Sequence, residues 1–163
     1  MATIIVEDGT GSNPAANSYV SEAELSTYAT DRGVTLTGTA SVLIIQAMDY
    51  IESLNYIGYK FDEDQPLQWP RQDVYIDGYY VAPEDIPKEL KNGLMAACVV
   101  IDEGNDPLAA IERATKKEKL DVMEVEYMDN AASETLTRTI NASLKKLIDP
   151  GGSGSNFNVW RGL

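Results

Sequence analysis

The sequence predicts a mainly α-helical small domain over residues 1–148, with one short β-strand or hairpin element and a flexible C-terminal arm over 149–163. Three observations predict it. Apolar residues recur at helical spacing in several segments. Charged and apolar residues interleave between Lys116 and Met128. A glycine- and serine-rich run follows Pro150. At 163 residues, 44% of them hydrophobic, the chain has the size of one domain and enough apolar material for a core.

Residues 3–7 read as a short β-branched strand, followed by a Gly/Ser/Asn/Pro loop from Asp8 to Asn17. Ser21 and Glu24 have capping-box spacing and open a short helix that ends near Gly33. A second helix is expected from about Ser41 to Ile57, because Ile44, Ala47, Met48, Ile51 and Leu54 form one apolar face and Gly58 follows. Tyr59 to Ala82 is a long connection rich in aromatic and acidic residues, with a turn signal at Asp77-Gly78. Pro83-Glu84-Asp85 and Pro87 sit where a third helix starts. Leu90, Leu94, Ala97, Cys98 and Ile101 form its stripe, and Gly104 and Pro107 end it. Gly93 within that stripe costs about 1 kcal/mol relative to alanine; it either allows close approach of another helix or is a tolerated flaw. Lys116 to Met128 reads as an exposed strand or hairpin with a bulge at Met123-Glu124. A last helix is expected over about Ser133 to Ile148, capped by Ser133 and stopped by Asp149-Pro150-Gly151.

Composition narrows the chemistry. There is no histidine, so the usual general base and every Cys–His pair are missing. One cysteine makes no internal disulfide and no Cys–His zinc site. The expectation is a non-enzymatic protein without cofactor. No stretch approaches the roughly 20 apolar residues that span a bilayer, and the first basic residue is Arg32. Both predict a soluble protein made and used in a cytoplasm. The formal net charge of −13 opposes a grip on phosphates as the main task.

Candidate sites are few. Asp62-Glu63-Asp64 could hold Mg²⁺, but adjacent loop acids are commonly just solvated. Cys98 on an apolar stripe reads as a buried structural thiol. Arg113, Lys116, Lys117 and Lys119, interspersed with Glu112 and Glu118, read as a solvated helix end or a subunit contact. Trp69-Pro70-Arg71 reads as a structural motif in which Trp69 anchors a loop on the core; the competing reading is a base-stacking platform. The C-terminal arm carries Phe157, Val159, Trp160 and Arg161 beyond its glycine-rich linker. Extended, it reaches on the order of 50 Å. Burying Phe157 and Trp160 on a partner contributes about 1.5–3 kcal/mol each, and many arms on a ring act together through effective concentration.

Several short stretches, in order, carry a resemblance. They are Thr3 to Asp8, Asn17-Ser18-Tyr19-Val20-Ser21, Tyr28, and the helix with Ala47, Asp49 and Tyr50. Then come Gln68-Trp69-Pro70-Arg71, Ile86-Pro87, Glu124-Val125-Glu126-Tyr127 and the terminal Arg161-Gly162. Together they span nearly the whole chain and resemble the tailed-bacteriophage head–tail connector (adaptor or head-completion) proteins. Members of that group often carry the label "DnaT-like single-stranded DNA-binding protein". The resemblance implies a helical connector-type fold and a ring, typically of twelve copies, between the portal protein and the tail or a further neck protein. Genomic DNA would pass through without specific binding. It places the protein in the virion neck after synthesis in the bacterial cytoplasm. It also implies that Phe157, Val159, Trp160 and Arg161 dock on the portal, while Glu124 to Tyr127 form a subunit or tail interface. Two other readings stand beside it. One is a DnaT-like single-stranded DNA-binding replication protein, and the other is a carboxylate-dependent enzyme, for which no residue pair stands out.

Overall fold

Ser21 fixes the first helix by local hydrogen bonding. Its hydroxyl accepts from the Glu24 amide, and the Glu24 carboxylate accepts from the Ser21 amide at 2.7 Å. Two of the donors left unsatisfied at a helix N-terminus are thereby paired, as the sequence predicts. In the computed structural model, which describes residues 2–108 and 131–149, this helix is α1, Glu22–Asp31. It is followed by α2 (Ala40–Glu52), β1 (Tyr59–Lys60), β2 (Arg71–Gln72), β3 (Tyr75–Ile76), β4 (Tyr79–Tyr80), α3 (Lys88–Asp102) and α4 (Ala131–Leu144). The described residues therefore form a small, mainly helical domain with short antiparallel strand pairs.

Helix α3 lies at the centre, with α2 and α4 packed against it and α1 against α2. The apolar faces expected from sequence supply the core: Leu25, Ile44, Ile51, Leu90, Leu94, Ile140 and Leu144 are fully buried. Gly93 of α3 faces α4, and a Cβ built there would stand 2.4 Å from Leu144 Cδ2. Close helix approach is therefore what this glycine permits. Just past the ends of α1 and α3 stand Gly33 and Gly104, both at positive φ. At each, the glycine amide and the one after it turn back to carbonyls of the last turn, a Schellman closure. Cys98 is buried, and burial pushes its thiol up to about 12, as its place on the stripe suggests.

Several expected boundaries differ. Residues 3–7 form no strand. Val6 makes one isolated parallel bridge to Ser18, because its neighbour is a loop that turns at once into the Ser21 cap. Helix α2 stops at Glu52 rather than near Ile57. Ile57 donates to the Leu147 carbonyl (2.9 Å), and Tyr56 bridges Ile148, so this segment is drawn to the end of α4 instead. Helix α3 starts at Lys88 with Pro87 as N-cap; the residues before it form a turn closed by Asp85 N–H on Ala82 O. Helix α4 begins at Ala131, two residues before the expected cap at Ser133, and ends at Leu144. The long connection 59–82 carries two two-stranded pairs. β1 pairs with β2, and β3 with β4, the latter turning on Asp77 (φ 53°) and Gly78 (φ 85°). Positive φ at both central residues is the hairpin turn that Asp-Gly favours. The expected strand at Lys116–Met128, with Glu124, Val125, Glu126 and Tyr127, lies outside the described residues, as does the arm from 150 to 163. No helix among the described residues is long and apolar enough to cross a membrane.

Candidate functional site

The connection between α2 and α3 is held by a polar frame built from residues far apart in sequence. Tyr19, fully buried, donates its hydroxyl hydrogen to the Glu52 carboxylate and accepts the Trp69 amide at 3.1 Å. The second Glu52 oxygen accepts the Gln68 amide at 2.8 Å. Gln65 donates to the carbonyls of Leu67 (2.7 Å) and Pro70 (3.0 Å). Arg71, only 8% exposed, spends its guanidinium on the carbonyls of Tyr56, Ile57, Gly58 and Gln68. Burial of an arginine is tolerable here because carbonyl oxygens replace its lost water. Trp69 is fully buried and meets Tyr56 edge-on at 5.9 Å, and the Trp69–Pro70 peptide bond is cis. Trp69, Pro70 and Arg71 thus act as a structural anchor. The base-stacking reading of Trp69 fails, since its ring is out of reach.

Burial raises the Glu52 carboxyl above the usual carboxylate range, and its hydrogen bonds from Tyr19 and Gln68 offset only part of this. The folded protein therefore keeps that proton to higher pH than the unfolded chain. Stability from this group is present below about pH 4.5, its ordinary value, and is lost as pH rises through the folded value. Glu52→Gln should remove that slope. Parallel thermal melts across pH 4.5–7 should show wild type losing stability relative to the variant as pH rises; parallel curves would refute it.

What the frame presents outward is aromatic. Tyr59 (68% exposed), Tyr75 (59%), Tyr79 (79%), Tyr80 (53%) and Phe61 (41%) stand on or beside the two strand pairs. Tyr75 and Tyr80 are cross-strand partners with ring centroids 5.5 Å apart. The same segment, 59–80, holds Asp62, Glu63, Asp64, Asp73 and Asp77 against Lys60 and the buried Arg71. Lys146, just past α4, pairs with Asp77 at 2.5 Å. Asp62-Glu63-Asp64 form a self-capping turn, with Asp64 N–H on Asp62 Oδ1, and no metal-holding cluster occurs among the described residues. Sequence reasoning marked this stretch as aromatic and acidic but did not single out Tyr59, Tyr75, Tyr79 or Tyr80. The available signal was their density around the Asp77-Gly78 turn. Elsewhere, a depression of about 330 Å³ between α2 and the end of α3 is lined by Gln46, Asp49, Tyr50, Asn105 and Asp106 among others, with no serine, threonine, cysteine or lysine.

Tyrosine surfaces of this kind do one of two things. They receive a partner's side chains, as at protein interfaces where tyrosine is enriched and carboxylates are rim residues. Or they stack on bases, provided cations neutralise the phosphates. A family model described as "Putative DnaT-like ssDNA binding protein" matches residues 2–162. The chain belongs to this family. The DnaT-like family match runs through the N-terminal loop, the anchor and the arm alike. Neither the curated proteins nor the solved structures contain a match to the chain.

Proposed function

We propose that this DnaT-like family member is an assembly subunit, a head–tail connector that works as one copy of a ring, typically of twelve, between a portal and a tail. The observation that supports it best is the exposed tyrosine hairpin in an acidic surround, where Arg71 is spent on carbonyls, Lys146 on Asp77, and Lys60 stands against five carboxylates of the same segment. Such a surface suits protein contact. With a net charge of −13, a ring lumen would let DNA slide past without holding it. No step of this role is chemical, so no catalytic group or cofactor is needed. Phe157, Val159, Trp160 and Arg161 are the portal-docking residues in this reading, with Glu124 to Tyr127 at a subunit or tail contact.

Mixing the protein with portal rings of the matching phage and counting bound copies by native mass spectrometry tests it. Saturation at a fixed ring stoichiometry is expected, weakened by Trp160→Ala while the melting curve stays unchanged. No binding at tens of micromolar would overturn it.

The family description favours a second reading, single-stranded DNA binding, in which the hairpin tyrosines stack on bases. Anisotropy of a labelled oligo-dT at low salt separates the two. Saturable binding that weakens steeply with salt and is lost in Tyr79→Ala supports the second reading; a flat titration supports the first.

A further inference from the structure

The tyrosine hairpins and the exit point of the C-terminal arm are neighbours. Leu147 accepts from the Ile57 amide at 2.9 Å, and Asp149 donates to the Asn55 carbonyl at 3.0 Å. Asn55 precedes Tyr59 by four residues, and Lys146 reaches the turn between β3 and β4 through Asp77. The chain therefore leaves the described domain beside its most exposed aromatic residues.

We infer that the arm of the same chain, residues 150–163, covers the tyrosine hairpins in the isolated subunit. The chemistry of the two parts is complementary. The arm has Phe157, Val159, Trp160 and Leu163 with one cation, Arg161, and no carboxylate side chain. The hairpin segment, residues 59–80, holds its exposed aromatic residues and five carboxylates against Lys60 and the buried Arg71. Arginine placed on tyrosine faces or beside Asp73 and Asp64 gains cation–π and ionic contact together. Phe157 lies eight residues beyond Asp149 and reaches at most about 26–29 Å, more than an adjacent patch requires. The linker Gly151-Gly152-Ser153-Gly154-Ser155 resists no particular path. A short tether of glycine–serine composition gives an effective concentration of roughly millimolar. A weak contact within one chain is then filled, while the same contact between dilute copies stays empty.

The inference concerns the free subunit and does not rest on the connector reading.

The test places the photo-reactive residue p-benzoylphenylalanine at position 160 of the full-length protein, with no partner present. Irradiation should give a product of monomer mass whose cross-links map to residues 59–80, with a yield independent of dilution. Replacing Tyr75, Tyr79 and Tyr80 by serine, all exposed positions, should lower that yield severalfold with the melting curve retained. Cross-links elsewhere, no cross-link, or a dimer-mass product that fades on dilution would each overturn the inference. The last would assign the hairpins to a second copy.

Discussion

Trp69→Ala should lower the unfolding free energy by about 3–5 kcal/mol, the range for removing a fully buried large aromatic. The ring is completely enclosed, touches Tyr56 edge-on, and its own amide is tied to Tyr19. A cavity at this position removes the packing that fixes the loop, while the polar frame of Glu52, Gln68 and Arg71 is left to hold it unaided. The loss should therefore be largest near the hairpins. Denaturant melts give the total, and hydrogen exchange locates it, with the Phe61 and Val81 amides, which bond to Pro70 and Val74, among the first to lose protection. A variant within about 1 kcal/mol of wild type would mean that Trp69 is not the anchor. The consequence for function is direct: any DNA affinity that vanishes in this variant reports lost folding around the hairpins, not a lost stacking partner.

Gly93→Val should cost about 3 kcal/mol, at the upper end for overpacking. The first added carbon already stands 2.4 Å from Leu144 Cδ2 and 2.6 Å from Cγ, and Leu144 is fully buried with nowhere to turn. Helix propensity pulls the other way by less than 1 kcal/mol, so the clash wins. A double-mutant cycle decides the mechanism. Leu144→Ala alone should cost about 2–5 kcal/mol by leaving a cavity. Combined with Gly93→Val, it should recover part of that loss, with a coupling of about 0.5–3 kcal/mol. Additive losses would mean that the two side chains do not meet.

Much of the helical scaffold was legible because its signals are local. Ser21 with Glu24, Gly33, Gly104 and Asp77-Gly78 each act within a few residues, and each does in the structure what its chemistry predicts. The misplaced boundaries share one cause, competition from distant partners. Leu54 and Ile57 continue the apolar spacing of α2, yet Ile57 finds Leu147 across the domain and the helix stops at Glu52. Thr3 to Glu7 look like a strand but have only a loop to pair with. The candidate surface was the least legible part. Two-residue strands are too short to show a period, and the frame that supports them joins Tyr19 to Glu52 and Trp69 across 33 and 50 residues. Arg71 belongs from sequence to a structural motif in which only Trp69 has an assigned part, with a charge beside an aromatic ring as the competing reading. It is instead an internal brace, because four carbonyls converge where its side chain ends.

Cys98 gives the molecule a built-in stopwatch. It is the chain's single thiol, sealed inside α3 and held protonated by burial. An alkylating reagent can meet it only when the packing around the central helix opens, so the rate of modification counts openings without any engineered probe. Because there is no second sulfhydryl, a cysteine introduced on the hairpins or the arm would react while Cys98 stays silent, and the two signals would time surface and core separately in one tube.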